Sequence, residues 1–182
     1  MTLPSPFVPQ INRQELVVRL RQQFQINWLG HHGIPHWARV RVNGLMLAKE
    51  LGTNSHVAEL FAFFHDARRF NEHEDKGHGE RGAALAWQLR GQVFQATGEE
   101  MDLLEYACIH HSDGRRDNID PTVMVCWDSD RLDLGRVGIT PNPKYLCTDL
   151  AKKPNVIAQA QLRALVWREN FESQQDRMAA TY

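Results

Sequence analysis

The residues of this chain that could do chemistry are histidines and aspartates set at helical spacing among apolar neighbours. The stretch "FAFFHDARRF" carries His65 and Asp66 side by side behind Phe61, Phe63 and Phe64. Burying such a pair is costly unless something compensates it. Other ionisable residues share the pattern. His36 falls in phase with Val40, Gly44, Leu47 and Leu51; His110 continues Leu103 and Ala107; His111 continues Leu104 and Cys108; Asp130 follows Val123 and Trp127. Taken singly, each is an ordinary core histidine or surface aspartate. Together they are imidazoles and carboxylates pointing inward from several helices, and they need a shared partner. A divalent cation is such a partner, since ring nitrogens and carboxylate oxygens are its usual ligands. The nine histidines, several in short polar clusters, point the same way. Helix neighbours point about 100° apart. His65 and Asp66 would therefore converge on an ion in the wedge between them, with one carboxylate oxygen left for a second metal or a water.

The elements that must position these residues read as helices throughout. Helical spacing of Leu16, Leu20 and Phe24 begins after Asn12, and a second helix runs from Pro35 to Leu51, stopped by Gly52. Asn54 or Ser55 caps a third, carrying Val57, Leu60, Phe61, Phe64 and Arg68 on one stripe. "ERGAALAWQLRG" is a fourth, and Thr97 with Glu100 forms a capping box for a fifth that ends at His110 or His111. Asp120 followed by Pro121 opens a sixth through Leu134, and a last helix spans residues 155–173. No strand alternation or internal repeat is visible. The expectation is an all-α fold, a single-domain irregular helical bundle over residues 12–182 behind an extended, proline-containing arm at 1–11.

Bulk properties narrow the partners. The chain has 182 residues, a formal net charge of -1 and a pI near 6.8, so neither a nucleic acid polymer nor a membrane surface is the expected partner. The N-terminal stretch lacks the charged start and apolar run of a signal peptide. Cys108, Cys126 and Cys147 are scattered through apolar context with no disulfide framework, which fits a reducing cytoplasm. The five tryptophans and the proline-rich arm allow a homo-oligomer.

The ordered set "HWARV", "FFHDARRF", "GHGERGA", "IHHSDG" and "DSDRLDLGRVG" resembles the HD superfamily of metal-dependent phosphohydrolases. The resemblance spans residues 36–138 and implies an all-α bundle with His36, His65, Asp66 and Asp130 as the core metal ligands. It selects Asp130 over Asp128, because the family's aspartate stands directly before a basic residue. Binuclear members insert two further histidines between the pair and the last aspartate. His78 and one of His110 and His111 hold those places, so one or two divalent transition-metal ions (Mn, Fe, Ni, Co or Zn) are implied. "HHSDG" is similar to a piece of the HD-GYP phosphodiesterases, but no GYP sequence follows. His32, four residues before His36, is within reach of the same cleft.

The implied reaction is hydrolysis of a small phosphorylated molecule, a nucleotide in many relatives, by a metal-activated water held at Asp66. Arg68, Arg69, Arg81 and Arg131 are the candidates to neutralise phosphate. His110 or His111, whichever is not metal-bound, is a candidate proton donor. Bacterial 5′-deoxynucleotidases of the family place a glutamate three residues after the HD aspartate, whereas this chain has Arg69 there. The same ligand set would also suit a diiron HD-type oxygenase or a nucleotide-binding regulatory module.

Overall fold

The computed structural model describes residues 10–116 and 120–179, with side chains to residue 173. The arm expected at 1–11 falls almost wholly outside them. Among the described residues there are seven helices and no strand, only isolated bridges joining Phe94 to Ile11 and Arg90. The helices are α1 (Arg13–Gln23), α2 (Ile34–Leu51), α3 (Ser55–Phe64), α4 (His78–Leu89), α5 (Gly98–His110), α6 (Pro121–Arg131) and α7 (Pro154–Ala179). None is long and apolar enough to cross a membrane.

Local chemistry sets most boundaries. The Asn12 side chain accepts from Glu15 N, and that of Asn54 accepts from His56 N and Val57 N. Thr97 and Glu100 make the reciprocal capping box, and Asp120 accepts from Thr122 N just ahead of Pro121. Gly52 ends α2 in the left-handed region at φ 65°, its N–H bonded to Ala48 O.

Several boundaries differ from expectation, α4 beginning at His78 rather than Glu80 and α7 running on to Ala179, and two of the differences bear on the site. Helix α3 ends at Phe64, so His65 is its C-cap and Asp66 lies in the following turn, where Ala67 N bonds Phe64 O and Arg69 N bonds Asp66 O. Helix α6 stops at Arg131, and a separate 3-10 turn covers Leu134–Val137.

Packing explains how the segments approach. Helices α2, α3 and α6 pack on one another, α4 and α5 pair and lean on α3, and α7 covers the turn after α6. Gly44 lets α2 settle against Ser129 and Ala58. Leu16, Leu20, Trp37, Phe61, Phe64, Leu104 and Trp127 are fully buried between the layers. Buried Glu59 accepts from Arg13 Nε (2.7 Å) and Nη2 (2.9 Å) and pairs with Arg41, pinning α1 and α2 to α3. Burial pushes its carboxyl up, but the two guanidinium groups win and hold it below its ordinary value.

Two glycines bring α4 close enough to matter for the site. A Cβ on Gly79 would lie 2.1 Å from Cys108 O, and one on Gly82 would lie 2.1 Å from Phe64 O. Both neighbours are backbone, so neither can step aside. Gly82→Ala is expected to destabilise the fold by about 1–3 kcal/mol, the usual range for overpacking. A lowered midpoint in chemical denaturation checks this, and an unchanged midpoint contradicts the close packing.

Candidate metal centre

Helix ends build the site. His36 lies in the first turn of α2, His65 caps α3, His78 begins α4, His111 caps α5, and Asp130 lies in the last turn of α6. Five helices thus deliver one side chain each to a buried point, where Asp66 is 2% exposed.

The imidazoles form two pairs. His36 Nε2 and His65 Nε2 are 3.0 Å apart, and His78 Nε2 and His111 Nε2 are 2.9 Å apart. Asp66 stands between them. Its Oδ2 lies 3.6 Å from both His36 Nε2 and His65 Nε2, while its Oδ1 lies 3.3 Å from His78 Nε2 and 3.7 Å from His111 Nε2. Asp130 Oδ1 joins the first pair, 3.3 Å from His36 Nε2 and 3.9 Å from His65 Nε2. Two metal-sized donor groups result, His36–His65–Asp66 and Asp66–His78–His111, sharing Asp66.

The other ring nitrogens decide what this arrangement can do. His65 Nδ1 donates to Phe61 O (3.1 Å), His78 Nδ1 to Asp75 O (2.6 Å) and His111 Nδ1 to Cys108 O (2.7 Å). His36 Nδ1 donates to Asp133 Oδ2 (2.7 Å). Each partner only accepts, so every Nδ1 carries the proton. In a neutral ring Nε2 is then a bare lone pair. Four such lone pairs, packed about 3 Å apart in each pair, repel unless protons or a cation lie among them. The donor set therefore fits divalent metal, with backbone carbonyls and Asp133 in the outer-shell role that fixes a ligating ring.

Electrostatics agree. Burial pushes His65 down to about 3, which keeps its ring neutral. Against its burial, Asp66 is held well below the carboxylate range by the charge that His65 takes on only in acid and by the hydrogen bonds of His111 and His78. Asp130 is depressed too, by His36 and the Arg136 guanidinium against burial. His111 is raised: burial works against its charge, but the hydrogen bond and charge of Asp66 outweigh that.

The remaining sequence candidates separate. His110 is turned away, its Nδ1 2.7 Å from Asp113 Oδ2 and its ring 4.4 Å from Tyr106. Asp128 accepts from Cys147 N, Thr148 N and Thr148 Oγ1, which fastens a loop. Arg69 reaches the cluster, with Nη1 3.3 Å from Asp66 Oδ1 and 3.4 Å from His78 Nε2. Arg68 donates to Gln23, Arg81 pairs with Asp75, and Arg131 donates to Arg115 O and Tyr145 O. His32 pairs with Glu72, 2.5 Å away, beside His36.

Three contributors were not among the sequence candidates. Asp133 takes a bidentate pair from Arg39, 2.6 and 2.9 Å, as well as the His36 proton. Arg136 Nη2 lies 3.8 Å from Asp130 Oδ1. The one available signal was the third aspartate of "DSDRLD", three residues beyond Asp130.

No family model matches the chain, and no curated protein matches it. Two solved structures are similar in fold. One, described as a predicted HD superfamily hydrolase from an uncultured Thermotogales bacterium, has a TM-score of 0.63 at 21% identity over 91% of this chain and 94% of its own. A protein from Lactobacillus plantarum has a TM-score of 0.56 at 18% identity, covering 90% and 96% of the two chains. The buried His–Asp cluster thus sits in an all-α scaffold whose fold is similar to that of a protein described as a predicted HD superfamily hydrolase.

Proposed function

We propose that the protein is a metal-dependent phosphohydrolase acting on a small phosphate ester. The observation that carries this is the convergence of four Nδ1-tethered imidazoles on the two oxygens of Asp66. His36, His65, Asp66 and Asp130 would hold one divalent ion, and Asp66, His78 and His111 a second. Ions bound there supply Lewis acidity toward a phosphoryl oxygen and a bound water of lowered pKa.

The chain's own groups supply the rest. Arg69 is buried at the His78 end and offers fixed positive charge where a phosphate would meet the cluster. Arg136 and His36 keep Asp130 ionised, and Asp133 keeps the His36 proton on Nδ1, so that Nε2 faces inward. A cavity of about 530 Å³ opens against Arg69 and His78 and gives a substrate its approach. The HD resemblance adds nucleotides to the phosphate esters that a substrate screen should include.

A phosphate-release screen with Mn²⁺, Co²⁺, Ni²⁺ and Zn²⁺ tests the proposal. Hydrolysis of phenyl phosphate that needs added metal and is abolished by chelation is the expected result. Oxygen consumption by the iron-loaded protein without phosphate release overturns it.

A further inference from the structure

The cavity against His78 is lined mostly by polar and charged residues. It runs between the loop before α4 and the end of α5, and Arg69 and His78 form its floor. A substrate whose phosphate lies at the His78 end of the cluster can place its remaining part along these walls.

The walls are mostly polar, and their ring surface is that of His73 and His78. Ile109 is their one aliphatic side chain, and no Phe, Tyr or Trp lines them. A nucleobase is normally gripped by stacking on an aromatic or apolar face, worth about 1–3 kcal/mol per base. The charges are also unfavourable to a phosphate chain. Glu74, Asp75, Glu80 and Asp113 contribute carboxylates, against the fixed cations Arg69 and Lys76. A second or third phosphate extended along this wall would meet like charge.

Two of these carboxylates are already engaged. Asp75 accepts from Arg81 Nη2 and Phe70 N, and Asp113 accepts from His110 Nδ1 and pairs with Arg115. Glu80, in the first turn of α4, is exposed and joins no ion pair among the described residues. Ser112, at the opposite wall, is exposed as well. A carboxylate and a hydroxyl facing an open cleft are suited to accept from the hydroxyls of a polyol.

We infer that the cleft takes the monophosphate of a small hydroxylated molecule, a sugar or polyol phosphate, rather than a nucleotide, with Glu80 accepting a substrate hydroxyl. This inference rests on the phosphohydrolase reading and narrows its substrate. The hydrolysis at phosphorus is unchanged: water adds, the P–O ester bond breaks, and the alcohol leaves with a proton.

The test compares the metal-loaded protein on ribose 5-phosphate, glucose 6-phosphate and glycerol phosphate with 5′-AMP, 5′-dAMP and ADP, using phenyl phosphate as a generic ester. The expected result is a kcat/KM at least roughly tenfold higher for the polyol esters, the scale of one charge-assisted hydrogen bond. Glu80→Gln should raise their KM severalfold and leave phenyl phosphate, which has no hydroxyl to offer, unchanged. Equal or better turnover of the nucleotides, with phenyl phosphate hydrolysed, overturns the inference and leaves the phosphohydrolase reading standing. The absence of phosphate release from every ester, phenyl phosphate included, overturns that reading and this inference with it.

Discussion

Asp66→Ala is expected to abolish metal-dependent phosphate release, by roughly 10³-fold or more, while the helical circular dichroism stays that of the native chain. The magnitude follows from the position of the carboxylate. Its two oxygens face two imidazole pairs, 3.3–3.7 Å away, so one substitution removes a donor from both groups at once. Effects of groups that act as a unit are far from additive, and the loss of one member costs nearly the whole effect. The fold is expected to survive, because Asp66 lies in a turn and caps no helix. Activity retained in Asp66→Ala would remove Asp66 from the chemistry. As a companion variant, His110→Ala should change activity little, since its ring is paired with Asp113 outside the cluster.

The second large effect is expected at Asp133, a residue that would touch no metal. Asp133→Ala leaves buried Arg39 without its bidentate partner and His36 Nδ1 without its acceptor. Breaking a buried ion pair from one side costs about 3–5 kcal/mol. Loss of an outer-shell acceptor costs about 10–100-fold in metal affinity. The loss should be confined to the His36–His65 group, because His78 and His111 are tethered by the carbonyls of Asp75 and Cys108. Asp133→Asn keeps an acceptor for the ring and should cost less on both counts. The Asp133 carboxyl is held below its ordinary value by His36 and Arg39 against burial, so the unfolded chain takes up a proton there first as pH falls. Its contribution to stability is present above the ordinary aspartate value of about 3.9 and is lost on acidification below it. Denaturation midpoints and metal titrations of the two variants check both expectations. Equal metal affinity in wild type and Asp133→Ala would contradict the orienting role.

The features that were legible in the sequence are local ones. Asn54, Thr97 with Glu100, and Asp120 before Pro121 satisfy backbone groups within three residues, so their meaning survives without the fold. The all-α class followed from the same caps and from the periodic apolar residues between them. The end of α3 was not legible. Apolar periodicity continues past Phe64, yet Gly82 of α4 presses on the Phe64 carbonyl there, and a contact across the fold leaves no mark at residue 64. His110 and His111 were equivalent in the sequence, since both continue apolar positions of α5. Their separation depends on α4, which Gly79 brings against Cys108 and so sets beside His111. Asp130 was told from Asp128 by the resemblance and by its phase with Val123 and Trp127, but what Asp128 does instead was not legible. Asp128 turned out to be taken by the loop at Cys147 and Thr148. Arg39 meets Asp133 across 94 residues, a pairing that no window along the chain contains. The four arginine candidates share the same limit: each flanks a site residue in sequence, but only Arg69 is turned toward Asp66.

The central claim is that Asp66 joins two histidine pairs into one metal centre. Metal content per chain, measured after saturation with Mn²⁺ and removal of free ion, tests it most directly. Close to two ions are expected for the native chain, close to one for His78→Ala and close to none for Asp66→Ala. Native protein that retains no more metal than Asp66→Ala would contradict the account.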